Sequence, residues 1–261
     1  MADLFLSLRW AHVVAGSLAL MLFWIPVIAP KGGRVHVRAG WIYVFCMSVV
    51  VVTAFVISAL AFSDPLAIRQ FTRPLSAAEL SHFVTEQRVS ATFLAYLASV
   101  TLALGWQGIW AVETRRATKK LKMAFGLILN LAIVLGGLTV LVLGFKFRSG
   151  PLIGLSTLGP LLGARNLRYL LSGPRSRMHW WYMHLGSMVG TGVAGYTAFL
   201  VFGGSRLFPA LARTQMYTLF WVLPILIGVP AIRMTVNHYR RKFHETGPTS
   251  GVSPLRAGTN S

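Results

Sequence analysis

The chain has 261 residues, 55% of them hydrophobic and only 12% charged, with a formal net charge of +19. Soluble domains carry about twice that charged fraction, roughly 25%, so the composition excludes an ordinary water-soluble enzyme. The surplus of Lys and Arg does not call for nucleic acid as a partner, because it falls in short segments between long apolar runs and reads as a topology signal that also attracts anionic lipid headgroups.

A membrane crossing needs about 20 mostly apolar residues. Seven stretches qualify, near 4–29, 39–62, 89–110, 123–145, 152–171, 180–202 and 216–236. The first follows Met1-Ala2-Asp3, which lacks a basic leader, and contains no clear cleavage site, so it reads as a retained helix. It holds His12 with Gly16 one turn on. The loop after it carries Lys31, Arg34, His36 and Arg38, with Gly40 one turn beyond His36. Cys46, the single cysteine, lies in the second span and leaves no disulfide framework.

Between the second and third spans, residues 63–88 form a longer polar segment. There Ser76-Ala77-Ala78-Glu79 has capping-box spacing and predicts that the third helix starts well before its apolar part. Arg115, Arg116, Lys119, Lys120 and Lys122 follow the third span. The fifth is interrupted by Pro160 and several glycines and preceded by Pro151, so a re-entrant or interfacial helix is its alternative. Arg165, Arg168, Arg175 and Arg177 are expected in the loop after it. In the sixth span Gly186, Gly190, Ala194 and Ala198 recur every four residues, a small-residue stripe for close helix packing or a flat wall for a planar cofactor. Pro224 and Pro230 should kink the seventh. From 243 to 261 the chain is rich in Gly, Ser, Pro and Thr and reads as a disordered tail.

These features predict an all-α, seven-span helical bundle over residues 1–242. The most basic loops should face the cytoplasm, with the N-terminus outside and the C-terminus inside. Asp3, Asp64, Glu79 and Glu86, four of the six acids, fall on the outer side. A bacterial inner membrane is the expected location. No Asp, Glu, Lys or Arg is expected at the middle of any span, which argues against a carboxylate-coupled transporter, and the seventh span lacks the lysine that a retinal protein requires.

Inside the spans there remain His12, His184, Asn130, Gln107 and scattered Ser and Thr, of which the histidines carry the chemistry. His12 and His184 lie within spans, and His36, His179 and His238 lie near the inner boundary. Two imidazoles from different helices at one depth can ligate b-type haem. His36 with His184 is the best such pair, although their estimated depths differ by one to two turns. Arg34, Arg38 or Arg177 would then hold haem propionates. A quinone in the same cleft is a further reading. A metal hydrolase would draw on His36, His184 and His238, but no carboxylate is placed to act as its base. A non-catalytic subunit, packed against another membrane protein through the Gly186–Ala198 stripe, is the reading from a different class.

His12-Val-Val-Ala-Gly16, Lys31-Gly-Gly-Arg-Val-His36-Val-Arg-Ala-Gly40-Trp-Ile-Tyr43, Trp181-Tyr-Met-His184 with Met188, Thr197-Ala-Phe-Leu-Val201 and Trp221-Val-Leu-Pro224 with Gly228 together resemble a family of bacterial multi-span membrane proteins defined by a domain of unknown function. The resemblance covers most of the chain. It implies about seven spans, with His12, His36 and His184 as the motif histidines. The first two spans are also loosely similar to ascorbate-linked dihaem cytochromes b. The chain departs from those in that no single helix carries a histidine near each end.

Overall fold

The computed structural model describes residues 2–68, 71, 73–113, 120–204, 207, 209 and 217–245. Among them there is no β-strand. The helices are α1 (Ala2–Ile28), α2 (Arg34–Ser63), α3 (Ala77–Glu113), α4 (Lys120–Lys146), α5 (Gly150–Ser156), α6 (Leu158–Ser172), α7 (His179–Ala198) and α8 (Tyr217–Lys242), and a π-helical turn at Phe199–Gly204 extends α7. Six of them, α1, α2, α3, α4, α7 with its π-turn and α8, are long and apolar enough to cross a membrane.

The distribution of side chains is that of a protein whose solvent is lipid. Met21, Phe45, Ile128, Val142, Leu226 and Met234 are exposed, while Gln107, Asn130, Asn166 and Ser187 are fully buried. Water would drive the reverse arrangement. In hydrocarbon the polar groups turn inward because only other protein groups satisfy them.

α3 and α7 form the middle of the bundle. α1 and α2 pair as a hairpin, α2 and α4 flank α3, and α7 packs on α3, α8 and α1. The capping box at the start of α3 forms. Ser76 N–H donates to Glu79 Oε2 at 2.9 Å, Glu79 N–H donates to Ser76 Oγ at 3.3 Å, and Arg73 pairs with the same carboxylate. With 37 residues and a rise of 1.5 Å each, α3 is about 55 Å long and outruns the roughly 30 Å hydrocarbon layer.

The fifth stretch is not one helix. It is broken at Thr157 into α5 and α6, neither of which is long enough to be one of the six. Pro151 occupies the first turn of α5 and Pro160 the first turn of α6, positions that lack an intrahelical N–H bond in any case. The two pieces nevertheless track α4 antiparallel. Gly144 lies against Ile153, Gly137 against Pro160, Gly163 against Asn130 and Gly126 against Leu170. Arg165 and Arg168, expected in the following loop, therefore lie inside α6. α6 runs on to Ser172, past the point at which the loop was expected to begin.

Tyr96 of α3 closes the break. Its hydroxyl faces Leu155 O at 3.1 Å and Ser156 O at 3.0 Å as donor and accepts from Gly159 N–H at 2.7 Å. Tyr96→Phe leaves the buried Gly159 N–H unpaired, and should lower stability in detergent by about 1–3 kcal/mol. A melting curve checks this.

The C-terminal end of α8 is tied down. Phe243 packs on Trp181 and Tyr239. Glu245 accepts from Ser176 Oγ at 2.8 Å, Met178 N–H at 3.0 Å and Tyr182 OH at 3.0 Å. The first three residues of the expected disordered tail are thus ordered against α7; residues 246–261 lie outside the described residues. Burial acts to raise the Glu245 pKa, but the three hydrogen bonds and nearby Arg177 outweigh it and hold the carboxyl below its ordinary value. A lowered folded-state pKa gives stability that is present above the unfolded value of about 4.3 and lost on acidification. The clasp should open as the pH falls below the ordinary carboxylate range, with a change in Trp181 emission. Glu245→Gln should show that change already at pH 7.

Candidate functional site

The sites of interest lie at one end of the bundle. α2 and α7 both begin there, and the 173–178 loop meets Glu245 there. Lys31, Arg34, Arg38, Arg175, Arg177, Arg240 and Arg241, on the loops and helix ends there, therefore share one end.

His36 is the third residue of α2 and His184 the sixth of α7. Counted from helix starts at the same end, they differ in depth by only about 4.5 Å, less than the one to two turns expected. The structure brings them together, with ring centroids 6.3 Å apart and planes at 62°. Both are half-buried.

Each imidazole is anchored on its Nδ1. His36 Nδ1 lies 2.9 Å from Pro26 O, and His184 Nδ1 lies 2.9 Å from Gly108 O. A carbonyl only accepts, so Nδ1 carries the hydrogen in both rings and each Nε2 keeps its lone pair. The Pro26 carbonyl is free for this purpose because position 30, its partner four residues on, is a proline without an N–H. Lys31 Nζ also reaches that carbonyl, at 3.0 Å, together with Val27 O. Lys31-Gly32-Gly33 supports this arrangement, since Gly32 sits at φ +78°, where a glycine is needed.

The other candidate residues are placed differently. His12 Nδ1 donates to Val50 O at 3.1 Å and Thr53 Oγ1 at 3.0 Å. It joins α1 to α2, and among the described residues no histidine ring packs on it. A Cβ on Gly16 would touch Val50, whereas one on Gly40 would meet nothing within 4 Å. The space one turn from His36 is open, and that one turn from His12 is filled. Arg34, Arg38 and Arg177 are exposed. His179 accepts from Arg175 N–H at 2.8 Å and packs on Tyr169.

His238 is exposed, with its ring against Tyr239. Among the described residues no three His, Cys, Asp or Glu side chains gather to hold a metal ion, so the His36, His184 and His238 set is not assembled. The expected stripe on α7 is used within the chain: Gly186 lies against Ile232 and Arg165, and Gly190 against Leu104. Ala194 is half-buried and Ala198 exposed. The closer contacts on α7 come from Gly192, seated on Phe23, and from Val193, seated on Gly228 of α8.

Two features escape sequence reading. Pro30, four residues after Pro26, is the signal that marks the carbonyl taken by His36. Arg165 reaches across to Ser187 on α7, and its i, i+1 neighbour Asn166 is the only local hint. The fold and the histidine pair define a polytopic α-helical protein with a two-imidazole site at one end. Comparison with protein-family models, curated proteins and solved structures returns no match.

Proposed function

We propose that this chain is a redox-associated protein of the bacterial inner membrane, in which His36 and His184 bind b-type haem near the cytoplasmic face. The α5–α6 pair is read as the seventh crossing. Its contacts with α4 run from Gly144 to Gly126, 18 residues or about 27 Å, close to the depth of the hydrocarbon layer. An odd number of crossings sets the N-terminus outside when the basic end faces the cytoplasm.

The observation that carries the reading is the pair of Nδ1-anchored rings 6.3 Å apart. Anchoring through Nδ1 to a backbone carbonyl orients a ligating imidazole and raises its basicity. Two imidazoles that share one metal at about 2.0 Å through Nε2 place their centroids about 6 Å apart. With two protein nitrogens and, among the described residues, no third ligand gathered, the donor set would suit a haem iron. Bound haem supplies one-electron transfer. The chain's part would be to hold Nε2 of His36 and His184 toward the group, to keep their hydrogens on Nδ1, and to leave the space beside Gly40 clear.

The same tautomer disfavours a quinone. A quinone carbonyl needs a donor, and the neutral rings have already committed their only N–H to Pro26 and Gly108. A scaffold role through the α7 stripe draws no support from Gly186 and Gly190, which pack within the chain. Purification in mild detergent followed by an absorption spectrum is the test. A Soret band, native or after haem addition, is the expected result. Protein that stays colourless after reconstitution sinks the reading.

A further inference from the structure

A polar seam between α4, α6 and α7 is left unused by the histidine pair. Asn130 and Asn166 are fully buried, and Asn166 Nδ2 donates to Asn130 Oδ1 at 2.9 Å. Asn130 Nδ2 donates in turn to Gly126 O at 2.7 Å. These bonds turn the Asn166 oxygen toward Arg165, whose Nε and Nη2 reach it at 3.3 and 3.2 Å. Nη2 also donates to Ser187 Oγ, fully buried on α7, at 3.3 Å. The guanidinium is therefore held by neutral oxygens. Arg165 is an exposed residue whose guanidinium turns in between α6 and α7, and among the described residues no ion pair engages it and Nη1 has no hydrogen-bond partner.

Gln107 on α3 is the second, independent observation. It is 0% exposed, and neither Nε2 nor Oε1 has a hydrogen-bond partner. Its helical neighbours fix where it faces. Gly108 O takes the His184 bond and Leu104 packs on Gly190, so that side belongs to α7. Trp110 packs on Tyr169 and Trp106 lies against Gly126, so the other side belongs to α6 and α4. At about 100° per residue, Gln107 lies between them and faces the seam that Arg165 crosses.

We propose that Arg165 and Gln107 form a carboxylate-binding site in the seam between α3, α6 and α7, one helical turn from His184. A guanidinium presents planar paired donors that match a carboxylate, and here it still has donors to give. A cation whose head reaches from an exposed helix face to a buried serine is stabilised most by an opposite charge with hydrogen bonds of its own. The amide of Gln107, facing the same seam, would offer a further donor. The carboxylate has two possible sources: a separate small organic acid, or a propionate arm of haem held by His36 and His184, the latter resting on the reading above.

The experiment uses the full chain in detergent without haem, titrated with benzoate and with its neutral counterpart benzamide. Tryptophan emission is the signal, since Trp106 and Trp110 flank Gln107 in sequence. Wild type should bind benzoate at least 10-fold more tightly than benzamide, and Arg165→Gln should abolish that preference. Gln107→Glu places a carboxylate in the seam, so it should melt no lower than wild type and refuse benzoate. Equal affinity for the two probes in wild type overturns the proposal, as does a benzoate preference that survives Arg165→Gln. So does a Gln107→Glu protein that melts below wild type or still takes benzoate. Haem and its dimethyl ester then separate the sources. If Arg165→Gln weakens haem but not the ester, the carboxylate is a propionate; if it affects both alike while benzoate binding is lost, the ligand is a separate acid. Failure of haem to bind at all removes the histidine reading and leaves the benzoate result standing.

Discussion

Gly159→Ala should lower the melting temperature in detergent by about 10 °C or prevent folding. A Cβ at this position would overlap the carbonyl oxygen of Ile133 on α4 and crowd the Tyr96 hydroxyl at 2.9 Å. Neither neighbour yields easily. The carbonyl belongs to the backbone of a 27-residue helix, and Tyr96 holds Leu155 O, Ser156 O and Gly159 N–H together. Forcing a methyl group into such a contact costs about 3 kcal/mol or more. That corresponds to roughly 6–12 °C for a chain of this size. Gly154→Ala is the control. A Cβ there meets nothing within 4 Å, and alanine favours a helix over glycine by about 1 kcal/mol. It should melt at or slightly above the wild-type temperature. A Gly159→Ala protein that melts within 2 °C of wild type would falsify the close approach of α4 and α6.

His36→Ala and His184→Ala should each abolish the low-spin, two-imidazole spectrum of haem-loaded protein, whereas His12→Ala should retain it. Loss of an anchoring partner outside the metal shell already weakens metal sites about 10- to 100-fold, so removal of a ligand should exceed that. His12 serves as the internal comparison because its imidazole bonds Val50 and Thr53 and, among the described residues, no histidine ring packs on it. Gly40→Leu separates ligation from space. The Cβ position is open, so the fold should hold while a planar ligand beside His36 is excluded. Equal spectra for wild type and His184→Ala would place any haem elsewhere.

Much of the architecture was legible because lipid imposes a length rule and a polarity rule on each segment separately. Six apolar runs became helices near the expected boundaries. The Ser76–Glu79 spacing located the start of α3, since a capping box is a contact between residues three apart. The histidine pair was legible in identity but not in distance, because the second span was counted from 39, which left His36 outside a helix that starts at Arg34. The α7 stripe showed that helices approach closely there. It did not show which face is used, and the tightest glycine contacts are those of Gly159 on Ile133 of α4, Gly192 on Phe23 of α1 and Gly228 on Val193 of α7.

Composition and the order of apolar runs were enough to establish a helical protein with the character of a multi-span membrane bundle, since both follow from the solvent each segment must face. The break at Thr157, the inward reach of Arg165 to Ser187, the bonds that leave Nε2 of His36 and His184 as acceptors, and the isolation of Gln107 were decided only by tertiary structure. Each depends on which helix lies opposite which, and a single segment carries no record of the carbonyl, hydroxyl or methyl group that another segment will place beside it.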